Sequence, residues 1–278
     1  MDNNVLRKLQ LIQLEILTFV DRICREHQIP YSLYAGTLLG AVRHKGFIPW
    51  DDDLDICMSR ENYDRFIQLW PTISHDGYIM QNKENCPAFT QSFTKIRKEH
   101  TTFLQEAWEA GRYHTGIFID IFPIDRIPDS KIGRLKFTWD VLCYQLYTRE
   151  FPPKQYGVEK WIVASVLLTM TPKARRADKR RKLLSNIVRF NPVHHYETVA
   201  IETLSSVKKP FAADMLDEYV FLPFENGNFM CFAGWDDHLK RKYGDYMQLP
   251  PEDQREWKHH PIILDFEHNY EELSPEKG

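Results

Sequence analysis

The chain has 278 residues, 43% hydrophobic and 13% aromatic, enough for one large domain or a compact pair with a sizeable core. Its 36 Lys and Arg stand against 39 Asp and Glu, a formal charge of −3, so there is no global reason to expect nucleic acid and any phosphate must be held locally. Five widely spaced cysteines, none in a C-x-x-C pair, point to neither a disulfide framework nor a structural zinc site, and fit a reducing cytoplasm.

Residues 4–27 place Leu6, Leu9, Ile12, Ile16, Val20 and Ile23 at three- and four-residue steps, which predicts an amphipathic helix ended by Pro30. IPYSLYAG reads as a strand, and Gly36 with Thr37 opens a short helix, TLLGAVRHK, closed by Gly46 and Pro49. LDICM, 54–58, is a short strand, with Ser59 placed to cap the helix ENYDRFIQLW. YIMQ, FTQSFTKIRK and TTFLQE follow as short strands, and GIFIDIFPID, 116–125, is the most apolar strand candidate. From Ser130 helices are expected over 130–148, 158–170, 172–188 and 195–207. VFLPFENG then reads as a strand pair or loop, WDDHLKRKYGD as a polar helix, and the rest as a proline-containing tail. The fold class is therefore mixed α/β (α+β), a small mixed sheet with flanking helices followed by a mainly helical part. The expected division is a catalytic core over 1–128 and a helical region over 129–278 packed on it, completing the acceptor side.

The N-terminus mixes Gln and Glu into its apolar residues, unlike a signal-peptide core. The longest nearly unbroken apolar run, WIVASVLLTM at 161–170, is about half a membrane span, so no bilayer crossing is expected. Residues 173–182, KARRADKRRK, carry seven basic side chains against one Asp. Either a buried helix precedes a solvated one, or 161–182 lies on an anionic membrane at the inner face of the cytoplasmic membrane.

GFIPWDDDLDI, 46–56, crowds four carboxylates into five positions, a repulsion relieved by solvent or by a bound cation. Side chains two apart on a strand share a face, so Asp53 and Asp55 point together with Leu54 turned inward, Asp51 is in phase, and Asp52 points elsewhere. Asp120, inside GIFIDIFPID, is a third carboxylate whose burial would be costly alone. Such oxygen ligands suit Mg²⁺ or Mn²⁺, one ion or two, and metal-assisted phosphoryl transfer. Gly36 and Thr37 offer a phosphate site at a helix start, and Arg43, Lys95 and Arg97 are candidate anion contacts, the last two in phase on one strand.

YAGTLLGAVRHKGFIPWDDDLDI, the later IDIFPID, and KRKYGDYMQLPP with its HH pair resemble the LicD family, a branch with the nucleotidyltransferase fold of the DNA polymerase beta type. The resemblance covers about residues 10–262. It implies Mg²⁺-dependent transfer of a phospho-alcohol, typically phosphocholine from CDP-choline, to a glycan or lipid-linked glycan of teichoic acid or lipopolysaccharide, with release of CMP. Related members transfer ribitol phosphate from CDP-ribitol. The fold's G-[GS] and D-h-[DE] elements correspond to Gly36-Thr37 and Asp53-Leu54-Asp55, and its metal triad to Asp53, Asp55 and Asp120, with Asp51 additional.

On this reading Asp53 and Asp55 hold metal, Asp120 shares it and serves as base or ligand, and Lys95 or Arg97 neutralises phosphate charge. His259 and His260 either fold back onto the acceptor side or belong to the surface, and Tyr243-Gly244-Asp245 reads as a supporting helix exit. A choline group would want aromatic faces such as Trp50, Trp108, Tyr113 or Trp235. Three alternatives stand beside this one: transfer of the nucleotide itself, transfer of ribitol or glycerol phosphate, and a divalent-ion or polyanion-binding module without catalysis. Oligomeric state is not legible in the sequence.

Overall fold

A computed structural model describes residues 3–152 and 157–273 and divides the chain into two compact units. The first comprises residues 1–81, 94–122 and 215–278, and the second residues 82–93 and 123–214. The boundary expected at 128 therefore accounts for only part of the division, because the last quarter of the chain returns to the first unit.

In the first unit, helix α1 (Asn3–Glu26) buries Leu6, Leu9, Ile16, Leu17, Val20 and Ile23 as its periodicity requires. Two glutamines, Gln10 and Gln13, are buried on it as well. Strand β1 (Ser32–Leu33) leads into α2 (Ala35–Arg43), and β2 (Asp55–Ser59) into α3 (Arg60–Leu69). Ser59 caps α3 by accepting from the Asn62 N–H at 3.3 Å. Strands β3 (Tyr78–Gln81), β4 (Thr94–Lys98), β5 (Thr102–Leu104) and β6 (Phe118–Arg126) follow. The main sheet has the order β1-β2-β6-β4-β3, with β4 antiparallel to both β3 and β6. All nine residues of β6 are buried, which explains its apolar composition and isolates Asp120 within it.

The second unit contains α4 (Lys131–Arg149), α5 (Val158–Met170), α6 (Lys173–Val188), β7 (Thr198–Ala200) and α7 (Leu204–Val207). Phe137, Val141 and Tyr144 of α4 share a core with Ile187 and Val199, while Leu146 and Tyr147 meet Ala164 and Leu168 of α5. The helix expected over 195–207 is instead a strand and a single helical turn. The Thr198-Val199 pair favours extended backbone, and β7 pairs antiparallel with the end of β6 at Ile124–Arg126.

The returning segment carries β8 (Tyr219–Phe224) and β9 (Gly227–Phe232), a hairpin with full antiparallel register, then α8 (Trp235–Tyr243), β10 (Ile263–Asp265) and α9 (Tyr270–Leu273). VFLPFENG is thus a strand pair. Glu225 at the hairpin turn accepts from Arg7 and from the Phe47 N–H at 3.1 Å, while its own N–H donates to the Lys45 carbonyl at 2.8 Å. In the expected tail, β10 pairs antiparallel with β5. Among the described residues no helix is long and apolar enough to cross a membrane.

Candidate active site

The acidic loop is shaped by its backbone before its charges matter. Gln10 Nε2 donates to the Asp51 carbonyl at 2.9 Å, and Gln13 Nε2 to the Asp52 carbonyl at 2.9 Å. Three residues apart on α1, these amides lie on one helix face and satisfy carbonyls that no strand partner takes. Strand β2 begins only at Asp55, so Asp53 stands just before it and not on it. Leu54 is fully buried, and its carbonyl accepts the Asp120 N–H at 2.9 Å, which fixes β6 beside the loop.

Gly36 and Thr37 seat this loop against the start of α2. A Cβ at Gly36 would stand 2.6 Å from Asp51 Oδ2, so only glycine leaves room for that carboxylate. The Thr37 hydroxyl accepts from the Asp55 N–H at 2.8 Å. Both residues expected to cradle a phosphate thus hold the carboxylate segment in place.

Asp51, Asp53, Asp55 and Asp120 converge electrostatically. Burial, then the charges of Asp53 and Asp52, pushes the Asp51 carboxyl well above the usual range. Asp55 is pushed up by burial and by Asp53, Asp120 and Asp51, with Lys242 offsetting part of the repulsion. Asp120 is also raised by burial, although Lys95 opposes the shift. Oxygen atoms of Asp51, Asp52 and Asp53 lie within 4.8 Å of one another, a group of three that could hold a metal ion. Mutual repulsion among buried oxygen donors is the condition a hard divalent cation relieves, so this donor set fits such an ion.

Asp52, however, faces another task. Fully buried, it accepts from the His259 N–H at 2.9 Å and the Lys258 N–H at 3.4 Å, and lies 3.3 Å from His259 Nδ1. This latch holds His259 beside the carboxylates, 3.9 Å from Asp53. Burial works against protonation of His259, but Asp52 and Asp53 outweigh it and raise its pKa. His260, the other member of the pair, lines a separate hollow of about 280 Å³ with Leu6, Trp50 and Trp257. Only one of the two histidines reaches the carboxylates.

Lys95 and Arg97 differ equally. Register places Lys95 opposite Asp120, and its Nζ lies 2.6 Å from Oδ1 and 3.2 Å above the Phe118 ring. Burial lowers its pKa despite that pairing. Arg97, expected beside a phosphate, donates from Nε to Gln81 Oε1 at 2.6 Å and from a terminal nitrogen to the Gly116 carbonyl at 2.8 Å, tying strand ends together. Arg43 donates to the Tyr246 carbonyl at 2.9 Å and lines a cavity of about 480 Å³ with Gly36, Asp51, Trp50, Tyr243 and Lys258. Trp50 is therefore at the site, while Trp108 packs edge-on against Tyr113.

Sequence reasoning missed Gln10 and Gln13, the latch function of Asp52, and the cations Lys242 and Lys258. Two glutamines on an otherwise apolar helix face were a readable signal. Asp52 had none, since its partner lies 207 residues away.

A family model described as "LicD/FKTN/FKRP, nucleotidyltransferase domain" matches residues 28–157. The lipopolysaccharide cholinephosphotransferase LicD of Haemophilus influenzae is 31% identical over 271 residues, spanning 91% of this chain and 96% of that protein. An uncharacterised protein of Rickettsia prowazekii is 38% identical over 160 residues, 50% of this chain and 59% of its own length. One from Rickettsia typhi is 41% identical over 70 residues, 25% of this chain and 23% of its own. Similarity to a relative over nearly the whole of both chains, with the family's domain over the segment that bears the acidic loop, shows that the chain belongs to the LicD family and is a phosphotransferase.

Proposed function

We propose that the chain transfers a phospho-alcohol, in the first instance phosphocholine from CDP-choline, to a hydroxyl of a cell-surface glycan precursor, releasing CMP. The observation that carries this reading is the electrostatic coupling of Asp51, Asp53, Asp55 and Asp120, with Asp51 lining a cavity that also holds Arg43 and Lys258. The Haemophilus influenzae relative, by its name, acts on lipopolysaccharide, which makes that glycan the first acceptor class to test and leaves teichoic acid as the second.

Mg²⁺ or Mn²⁺ held by these four carboxylates would neutralise phosphate oxygens and the charge of the leaving CMP. Arg43 and Lys258 lend positive charge to the cavity that would receive the donor's diphosphate. The acceptor hydroxyl oxygen attacks the choline-side phosphorus, the bond from that phosphorus to the bridging oxygen breaks, and its electron pair leaves on CMP. Lys95 holds Asp120 at Oδ1, and Oδ2 takes the hydroxyl proton. His259, fixed by Asp52, would face the acceptor hydroxyl.

The test is CMP release by purified protein given Mg²⁺, CDP-choline and lipopolysaccharide or membrane glycans, beside an Asp53→Asn, Asp55→Asn double variant. CMP release that needs acceptor and both carboxylates is the expected result. Release of phosphocholine with CMP left on the acceptor would instead make the chain a nucleotidyltransferase. CMP release from CDP-ribitol or CDP-glycerol alone would change the donor, and no turnover with any of them would overturn the reading.

A further inference from the structure

The second unit carries a surface that the proposed reaction does not use. Helix α5 turns Ala164 and Leu168 toward α4, yet leaves Trp161, Ile162, Val166 and Met170 in solvent, Met170 at 76% exposure. On α4, Leu135 and Trp139, four residues apart and so on one face, are exposed as well. Between the helices lies an apolar hollow of about 340 Å³, walled by Trp139, Leu142, Val163 and Leu167. So much contiguous exposed apolar surface on one pair of helices marks an interaction site.

Charge at its edge identifies the partner. Three residues after Met170, α6 begins with Lys173 and Arg175 exposed, and Lys182 is exposed two turns further on. Arg176 donates to the Leu168 carbonyl at 2.9 Å, which fixes the basic helix to the end of the apolar one. Pairing this face with its own copy about a two-fold axis would bring two basic helices together, an arrangement like charges oppose. An anionic lipid surface offers both complements, hydrocarbon for the tryptophans and aliphatics and phosphate for the basic residues.

We propose that the exposed faces of α4 and α5, with the first turns of α6, dock the enzyme on an anionic bilayer. Helix α5, 13 residues and about 20 Å long, is too short to span and lies along the interface. Trp139 and Trp161 enter the headgroup layer, while Lys173, Arg175 and Lys182 reach lipid phosphates. This placement is independent of which alcohol the donor carries.

The test is sedimentation of the purified full chain with phosphatidylcholine vesicles, with and without phosphatidylglycerol. Binding should require phosphatidylglycerol and fall at least tenfold between low and high salt. A Lys173→Gln, Arg175→Gln, Lys182→Gln variant should bind on the order of 100-fold more weakly, at about fivefold per charge. Trp161→Glu with Ile162→Glu should abolish binding while its melting temperature matches that of wild type. Absence of binding at low salt, or unchanged binding by the charge variant, overturns the proposal. A wild-type dimer that the Trp161 and Ile162 changes split into monomers would do the same, because a second copy would then cover this face. The readout does not involve turnover, so its failure leaves the proposed chemistry standing.

Discussion

Replacing Asp52 with alanine should separate stability from catalysis at this site. The carboxylate is fully buried and accepts one hydrogen bond of ordinary length, from His259 N–H at 2.9 Å, with two longer contacts of 3.3 and 3.4 Å to His259 Nδ1 and Lys258 N–H. A hydrogen bond to a charged group contributes about 1.5–3 kcal/mol, so the three together are worth about 2–4 kcal/mol. Alanine also removes a charge that repels Asp51, which offsets part of that loss and leaves a net destabilisation of about 1–3 kcal/mol. Turnover should suffer more, because His259 loses its hold beside Asp53, and a displacement of about 1 Å in a positioned group can cost on the order of 100-fold. Asp52→Asn keeps one acceptor oxygen and should fall between. Urea denaturation midpoints and CMP release, measured on the same preparations, give the two numbers. Wild-type turnover in Asp52→Ala would refute the latch, and equal loss in a His259→Ala variant would support it.

Three further outcomes follow from the same geometry. Saturating Mg²⁺ at about 100 times its Kd should stabilise the protein by about 2.7 kcal/mol, a rise of roughly 5–10 °C in melting temperature, and the Asp53→Asn, Asp55→Asn variant should show no rise. In chelator, melting temperature should increase as pH falls from 8 toward about 5.5. The carboxyls of Asp51, Asp55 and Asp120 have raised native pKa values, so the native state gains stability as pH drops through them. His259, also raised, contributes fully below about 6.5 and loses that contribution as pH rises through its native value. Glu225, depressed by Arg7, has the opposite sign and its contribution disappears as pH falls through its lowered native value, below about 4.3. A flat profile between pH 8 and 5.5 would contradict the repulsion inferred for the cluster. Finally, Gly36→Ala places a methyl 2.6 Å from Asp51 Oδ2 and should reduce turnover at least tenfold while circular dichroism stays native. Retained activity would mean Asp51 is not needed where it stands.

Local signals read well because local physics set them. The apolar periodicity of α1, the strand YIMQ, the cap at Ser59 and the helix over 158–170 all depend on residues within a few positions of one another. The carboxylates were legible for the same reason, since four acidic residues beside an apolar strand advertise a shared cost. What could not be read was anything decided by distant partners. Thr198–Ala200 becomes a strand because β6 offers an edge there, Arg97 is consumed by Gln81 and Gly116, and 263–265 pairs with β5. His259 and His260 are adjacent in sequence yet enter different surroundings, and only the bond to Asp52 distinguishes them.

The return of residues 215–278 to the unit that begins the chain has a consequence for how the enzyme comes into being. At roughly 5–20 residues per second, Lys258 and His259 leave the ribosome on the order of ten seconds after Asp120. Through that interval Asp52 lacks the amides it accepts from, Glu225 has yet to grip Phe47 and Arg7, and the edge of β5 has no β10 beside it. All four acidic residues are thus synthesised before the segment that closes over them. A chain stopped before residues 258–265, though it carries all four acidic residues, should therefore lack turnover.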